Sequence, residues 1–131
     1  MSIEINSVII GGNLTRDVQL KELSSGSKVA VFTVATNRTY ISQGQKNQET
    51  AFIDVDVWGR MAETCAQYLS KGRAVVVTGR LKQDQWENEQ GQKRSRLKVV
   101  AQNVQFMPTG GSRENRVAEE ESSYGSVSWE D

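Results

Sequence analysis

The chain has 131 residues, no histidine, a single cysteine (Cys65), and 16 basic against 16 acidic side chains. This inventory excludes a Ser-His-Asp or Cys-His nucleophile and a Cys/His zinc site, and the length fits one domain plus a tail. The sequence shows neither a signal-peptide pattern nor an apolar run of membrane-spanning length, so we expect a cytoplasmic protein without membrane contact.

The net charge of zero conceals a separation of charge along the chain. Residues 1–109 hold 14 Lys and Arg against 10 Asp and Glu, whereas residues 110–131 hold 2 against 6. The apolar periodicity also stops at Pro108. We therefore predict a folded domain over residues 1–108 and a disordered acidic tail over residues 109–131.

Two strands are predicted in the first part of the domain. A β-branched run over residues 7–14 is broken by Gly11-Gly12 and continues over 18–23, which indicates one long strand kinked at the glycines. The second strand covers residues 28–40. The polar segment 41–49 that follows it is expected to be a long hairpin loop.

The third strand, residues 51–58, has the clearest alternation in the chain. Its odd-numbered residues are predicted to face the core, and they are Ile53, Val55 and Val57. Its even-numbered residues include two carboxylates and are expected on the water side: Phe52, Asp54, Asp56 and Trp58.

One helix and two more strands complete the domain. Apolar residues at helical spacing predict about three turns of helix after Gly59, ending at Lys71-Gly72. Strands are predicted over 74–82 and 94–106, the second with Leu97 pointing inward, and they are separated by a loop over residues 84–92. The order β-β-β-α-β-β favours an all-β fold with one helix, the five-stranded Greek-key OB-fold barrel, which binds oligonucleotides or oligosaccharides.

Aromatic and basic side chains coincide in this pattern. Binding a single nucleic-acid strand requires flat side chains for base stacking and cations for the phosphates. Phe52 and Trp58 share one strand face, and Lys82 shares a face with Arg80, with Trp86 at the rim of the next loop. Further candidates by placement are Arg38 and Tyr40 at the first loop, and Arg60, Lys71, Arg94 and Arg96. The alternatives are that Phe52 is a core residue, that the tryptophans line a subunit interface, and that the basic cluster 93–96 is a solvated hairpin end.

Six segments in chain order closely resemble the bacterial single-stranded-DNA-binding protein family over roughly residues 3–107. They are NSVIIGGNL from Asn6, VFTVAT from Val31, VWGRMAE from Val57, YLSKG from Tyr68, VTGRL from Val77, and Trp86. The resemblance implies an OB-fold barrel and a homotetramer wrapped by single-stranded DNA. It also implies a role in DNA replication, recombination and repair, without a cofactor, a metal or catalysis.

The resemblance also assigns roles to individual residues. The stacking aromatics of the family fall on Tyr40, Phe52, Trp58 and Trp86, and its phosphate-contacting cations fall on Arg60, Lys71 and Lys82. The acidic tail resembles the segment with which the family docks replication and repair proteins. That family tail ends in an acidic run followed by Ile-Pro-Phe, whereas this chain ends at Trp129-Glu130-Asp131.

Three acids lie on or near the proposed DNA face, namely Asp54, Asp56 and Asp84. We expect these carboxylates to repel the phosphates, so that neutralising Asp54 and Asp56 tightens binding. The alternative is that Asp54 and Asp56 pair with Arg80, Lys82 or another cation of the barrel and hold that cation in place.

Three rival functions remain at this stage. The first is a replication-restart or competence paralogue whose barrel mainly contacts proteins, and the second is an oligosaccharide-binding OB domain. The third is a nuclease or ligase fragment with Mg²⁺ on Asp54 and Asp56, which two carboxylates on an open strand face support poorly.

Overall fold

The computed structural model describes residues 2–108, and within them the chain forms six strands and one helix. In chain order they are β1 (Val8–Leu14), β2 (Gln19–Glu22), β3 (Lys28–Ser42), β4 (Gln45–Trp58), α1 (Arg60–Tyr68), β5 (Ala74–Glu87) and β6 (Lys93–Phe106). No helix in these residues is long and apolar enough to span a membrane.

The strands close into a barrel because β1 pairs on both of its edges. It pairs antiparallel with β5 over residues 8–13, and its last two residues, Asn13 and Leu14, also pair with β3. The ring runs from β1 through β5, β6, β4 and β3 back to β1, and β2 continues along β3 as the second half of the bent first strand. The predicted five-stranded OB-fold barrel with one helix is therefore confirmed.

The core lies inside this ring and consists mainly of β-branched side chains. Phe32, Val34, Val55 and Val77 are completely buried. Helix α1 adds Ala62 and Cys65 to the same core, and Leu69, the residue after the helix, joins them. In β4 the inward side is the odd-numbered one, as the alternation predicts, with Ile53 packed at its edge.

Both long hairpins extend beyond the barrel as paired strands, so the predicted loops over 41–49 and 84–92 are too long, and only residues 43–44 and 88–92 connect the strands. β3 and β4 pair without interruption down to Ser42 and Gln45, and the turn is only Gln43-Gly44, with φ of 53° and 76°. Two left-handed residues of this kind form the tight turn that matches the twist of a hairpin. β5 and β6 likewise pair out to Glu87 and Lys93.

Two smaller expectations also fail. Helix α1 has nine residues and ends at Tyr68, so Lys71-Gly72 belongs to the turn that follows the helix and does not form its last turn. Leu97 is exposed although Val99 is buried, because at Leu97 strand β6 has already left the barrel and no second layer covers it. Alternation thus predicts which side a residue faces but not whether something packs against that side.

Candidate nucleic-acid interface

One continuous surface runs across three neighbouring strands of the barrel. The cross-strand pairing places the even-numbered residues of β4, β5 and β6 on the side away from the core, because their odd-numbered neighbours Val55, Val77 and Val99 are buried. We call this surface the outer face. Its members are Phe52, Asp54, Asp56, Trp58, Arg80, Lys82, Asp84, Trp86, Arg94, Arg96 and Lys98.

Three of the four predicted stacking aromatics lie on the outer face. The exposed fraction is 68% for Phe52, 44% for Trp58 and 48% for Trp86, so each ring has a side that an unpaired base can reach. The alternative of Phe52 as a core residue is therefore wrong. Rings this exposed in an otherwise well-packed domain indicate a binding surface, either for nucleic acid or for another subunit.

The three rings are spread over the length of the face. β4 and β6 run parallel, with Val55 beside Val99, so the tips of both long hairpins project from the same end of the barrel. Phe52 and Trp86 lie toward that end, and Trp58 lies about 20 Å from Phe52 along β4. Arg60 begins α1 two residues after Trp58, and it therefore belongs to the Trp58 end.

Tyr40 does not join these three rings. Phe52 pairs with Ala35, whereas Tyr40 pairs with Asn47, so Tyr40 lies on the opposite side of the β3–β4 hairpin from Phe52. Arg38 lies on the same side of the hairpin as Tyr40. The Arg38 guanidinium lies 4.9 Å from the centre of the Tyr40 ring and donates a 2.9 Å hydrogen bond to Glu49. The sequence correctly groups Arg38 with Tyr40 but does not reveal this separation from the outer face.

The predicted phosphate-binding cations differ in what already holds them. Arg96 lies 3.6 Å from Asp54, and Lys82 lies 3.7 Å from Asp84, both in exposed or half-exposed pairs that are weak in water. The other four cations form no ion pair with any carboxylate of the described residues; they are Arg60, Lys71, Arg80 and Arg94. Arg94 donates a hydrogen bond to the neutral side chain of Gln92.

Lys71 is the predicted cation farthest from this arrangement. Its backbone N–H donates to Asp17, and the next residue, Gly72, donates to Leu14 at the end of β1. Lys71 therefore lies beside the bend between β1 and β2 and not on the outer face.

The acids of the outer face are paired. Asp56 lies on the predicted side of β4, but it is only 7% exposed there and not in open water, and its carboxylate lies 2.5 Å from Lys98 Nζ. Asp54 accepts a 2.9 Å hydrogen bond from Thr33. The second interpretation of these acids, pairing with barrel cations, is the one that the geometry favours, and carboxylates occupied in this way are poor ligands for Mg²⁺.

Lys98 is the residue of this surface that sequence reasoning missed. It bridges Asp56 on β4 and Asp84 on β5, the latter at 2.7 Å. Burial alone lowers the pKa of Lys98, but the hydrogen bonds and negative charges of the two aspartates outweigh burial and raise it. The hydrogen bond from Lys98 is also the main reason that the pKa of Asp84 is lowered. The sequence shows a further lysine two residues after Arg96, but it does not show that β4 pairs with β6 and brings Lys98 next to Asp56.

The predicted partner-docking residues Trp129, Glu130 and Asp131 lie outside the described residues.

Comparison with known proteins identifies relatives of this chain. The model of the single-strand binding protein family matches residues 5–107. A single-stranded DNA-binding protein of Wolinella succinogenes is 44% identical over 124 residues, which cover 93% of this chain and 76% of that protein. The Helicobacter hepaticus single-stranded DNA-binding protein is 46% identical over 103 residues, covering 78% of this chain and 61% of that protein.

A solved structure has the same fold. It is the Plasmodium falciparum SSB complex with ssDNA, which superposes with a TM-score of 0.75 at 23% sequence identity and covers 81% of this chain and 97% of that one. At this identity the likeness concerns the barrel itself.

Proposed function

The chain belongs to the single-strand binding protein family, and on that premise we propose that it binds single-stranded DNA without sequence preference. Bases stack on Phe52, Trp58 and Trp86 of the outer face, and the cations around them contact the phosphates. The observation that carries this proposal is the exposure of three aromatic rings on one face of a barrel whose core is otherwise closed.

The cations take two roles in this proposal. Arg60, Arg80 and Arg94 form no ion pair within residues 2–108 and are available to phosphates. Lys82 and Arg96 exchange a weak carboxylate contact for a phosphate. Tyr40 and Arg38 contact the strand only where it passes around the β3–β4 hairpin. Lys71 meets it only if the strand continues past β1.

The proposed biological role is protection of strands exposed during DNA replication, recombination and repair. We propose no catalytic activity, no cofactor and a location with the DNA in the cytoplasm. We also propose that residues 1–108 are the DNA-binding domain and that residues 109–131 form a disordered tail for docking replication and repair proteins. These roles follow from the family and from the charge separation along the chain.

We further propose that the protein assembles as a homotetramer, because the family does. Large apolar side chains outside the core support assembly, since Ile3, Ile5 and Ile9 are all at least 70% exposed in the isolated chain. Light scattering at micromolar concentration is expected to give four times the chain mass. A monomer mass would contradict this proposal without affecting DNA binding.

Titration of tryptophan fluorescence tests the function. A Trp129→Phe variant confines the signal to Trp58 and Trp86, the only other tryptophans. Oligo-dT should quench this signal strongly and duplex DNA far less, because only unpaired bases reach the rings. An equal response to the two would reject the stacking proposal, and weak binding of oligo-dT would instead favour a barrel that mainly contacts proteins.

A further inference from the structure

The outer face combines two features that oppose each other electrostatically. It carries five cations, which suit a polyanion, and three carboxylates, which repel one: Asp54, Asp56 and Asp84. A phosphate close to an uncompensated carboxylate at the surface loses on the order of 1 kcal/mol, which is about a fivefold loss of affinity. Binding at this face therefore requires the carboxylates to be neutralised within the protein.

Lys98 is placed to share its positive charge between two of them. Its Nζ lies 2.5 Å from Asp56 Oδ2 and 2.7 Å from Asp84 Oδ2, and its side chain is only 13% exposed. It thus links all three strands of the face, at a place where β4 and β6 share only two paired positions. At this depth Lys98 is poorly placed to contact a phosphate itself.

The position of Lys98 also decides how firmly Asp84 holds Lys82. Lys82 and Lys98 are cross-strand neighbours, and both reach the carboxylate of Asp84. The contact with Lys98 is short, at 2.7 Å, whereas the contact with Lys82 is 3.7 Å and half exposed. Asp84 is therefore committed to Lys98, and Lys82 remains available to a phosphate.

From this geometry we propose that Lys98 is a positioning residue of the DNA-binding face. It offsets one of the two negative charges of Asp56 and Asp84, and by holding the carboxylate of Asp84 it keeps Lys82 free for a phosphate. The inference rests on the proposed single-strand binding and specifies which buried group that binding depends on.

The first test compares Lys98→Met with the natural protein in oligo-dT titrations over a salt series. Affinity should fall about fivefold or more at low salt, because the one positive charge that Asp56 and Asp84 share is lost. The difference should shrink at high salt, where screening weakens the repulsion. Lys98→Arg should retain most of the affinity. Lys21→Met is the matched control, since it removes one lysine charge from β2, outside the outer face.

A double-mutant cycle between Lys98 and Asp84 makes the test specific. Asp84→Asn should raise affinity by about fivefold in the Lys98→Met protein, and by clearly less while Lys98 is present to hold that carboxylate. If Lys98→Met does not fold because Asp56 is left buried without a partner, the same cycle is measured in an Asp56→Asn background.

Three outcomes separate the hypotheses. Failure of the natural protein to bind oligo-dT would overturn the proposed function itself. Lys98→Met that binds like the natural protein at every salt concentration would overturn the role of Lys98 while leaving the function intact. A loss that is independent of salt and is not recovered by Asp84→Asn would show that Lys98 serves only the stability of the barrel.

Discussion

At the scale of single residues, the outer face is defined by rings that remain exposed on strands whose other side is buried. Trp58 and Trp86 are each close to half exposed, so their removal should affect binding far more than folding. Trp58→Ala and Trp86→Ala are each expected to cost about 1–3 kcal/mol of oligo-dT binding at constant salt, the range for losing one stacked base.

Filter binding or anisotropy with a labelled oligonucleotide measures this loss without relying on the tryptophan signal. Replacement of either tryptophan by Phe is the matched control, because it keeps a ring for stacking and should recover most of the affinity. Subunits that dissociate on Trp→Ala while still binding oligo-dT normally would assign these rings to a subunit interface instead.

Cys65 illustrates the opposite case, a residue whose chemistry is suppressed by its position. Burial raises the pKa of its thiol to about 12, so at neutral pH it stays protonated and unreactive. Below pH 9 both the folded and the unfolded chain carry the proton. Between about pH 9 and 12 the unfolded chain releases it first, so the free energy of unfolding falls as the pH rises.

Denaturant unfolding at pH 8 and at pH 10.5 tests this dependence. The contribution of Cys65 reaches at most about 1.4 kcal/mol per pH unit. Cys65→Ala removes the thiol, so its free energy of unfolding should fall less between the two pH values than that of the natural protein. Identical losses in the two proteins would show that other groups account for the alkaline destabilisation.

At the scale of elements, the closure of the barrel depends on one glycine of β1. A Cβ on Gly12 would overlap the backbone carbonyl of Ala35 on β3, the strand to which β1 crosses at its end. A Cβ on Gly11 would meet Val75 and Val76 atoms only at 3.7 Å, an ordinary contact distance. The two neighbouring glycines therefore form a matched pair for testing closure.

Gly12→Ala is expected to destabilise the domain by roughly 1–3 kcal/mol, the usual cost of forcing extra volume into a packed site. Gly11→Ala should lie within about 0.5 kcal/mol of the natural protein, as most surface substitutions do. Thermal unfolding of both variants measures the difference. Equal stabilities would show that β1 can shift away from β3 without loss.

The elements also show how far the sequence determines the structure. Alternation in β4 correctly predicts the core side. The predicted kink at Gly11-Gly12 is wrong, because β1 pairs with β5 without interruption through both glycines and the chain bends only after Leu14. The hairpin beyond Tyr40 was missed because both of its sides are exposed, which leaves no apolar alternation to detect. The turn signal at Gln43-Gly44 was present but weak, since Asn or Asp usually precedes the glycine.

The candidate site was predictable only where it depends on a single strand. Phe52 and Trp58 share a strand, so their common side follows from their spacing. The ion pairs of Lys98 with Asp56 and Asp84 join three strands, and the parallel contact of β4 with β6 brings together residues more than 40 positions apart. No local pattern in the chain encodes such a contact.

At the scale of the whole molecule, charge differs between the proposed DNA-binding domain and the proposed tail. Residues 1–109 carry four more basic than acidic side chains, and residues 110–131 carry four more acidic than basic ones. A domain with this modest excess attracts DNA mainly through the local arrangement of its cations. An acidic segment tethered to the domain can compete with DNA for those cations at low salt.

Deletion of residues 110–131 should consequently leave oligo-dT affinity unchanged or raise it slightly at low salt, with no difference at high salt, where screening removes the competition. A full-length variant with the six tail acids changed to Gln or Asn separates charge from length, and it should match the deletion. Anisotropy titrations of the three proteins at two salt concentrations measure the effect. A large loss of affinity on deletion, together with normal binding by the neutralised tail, would instead show that Tyr124 or Trp129 takes part in the DNA site.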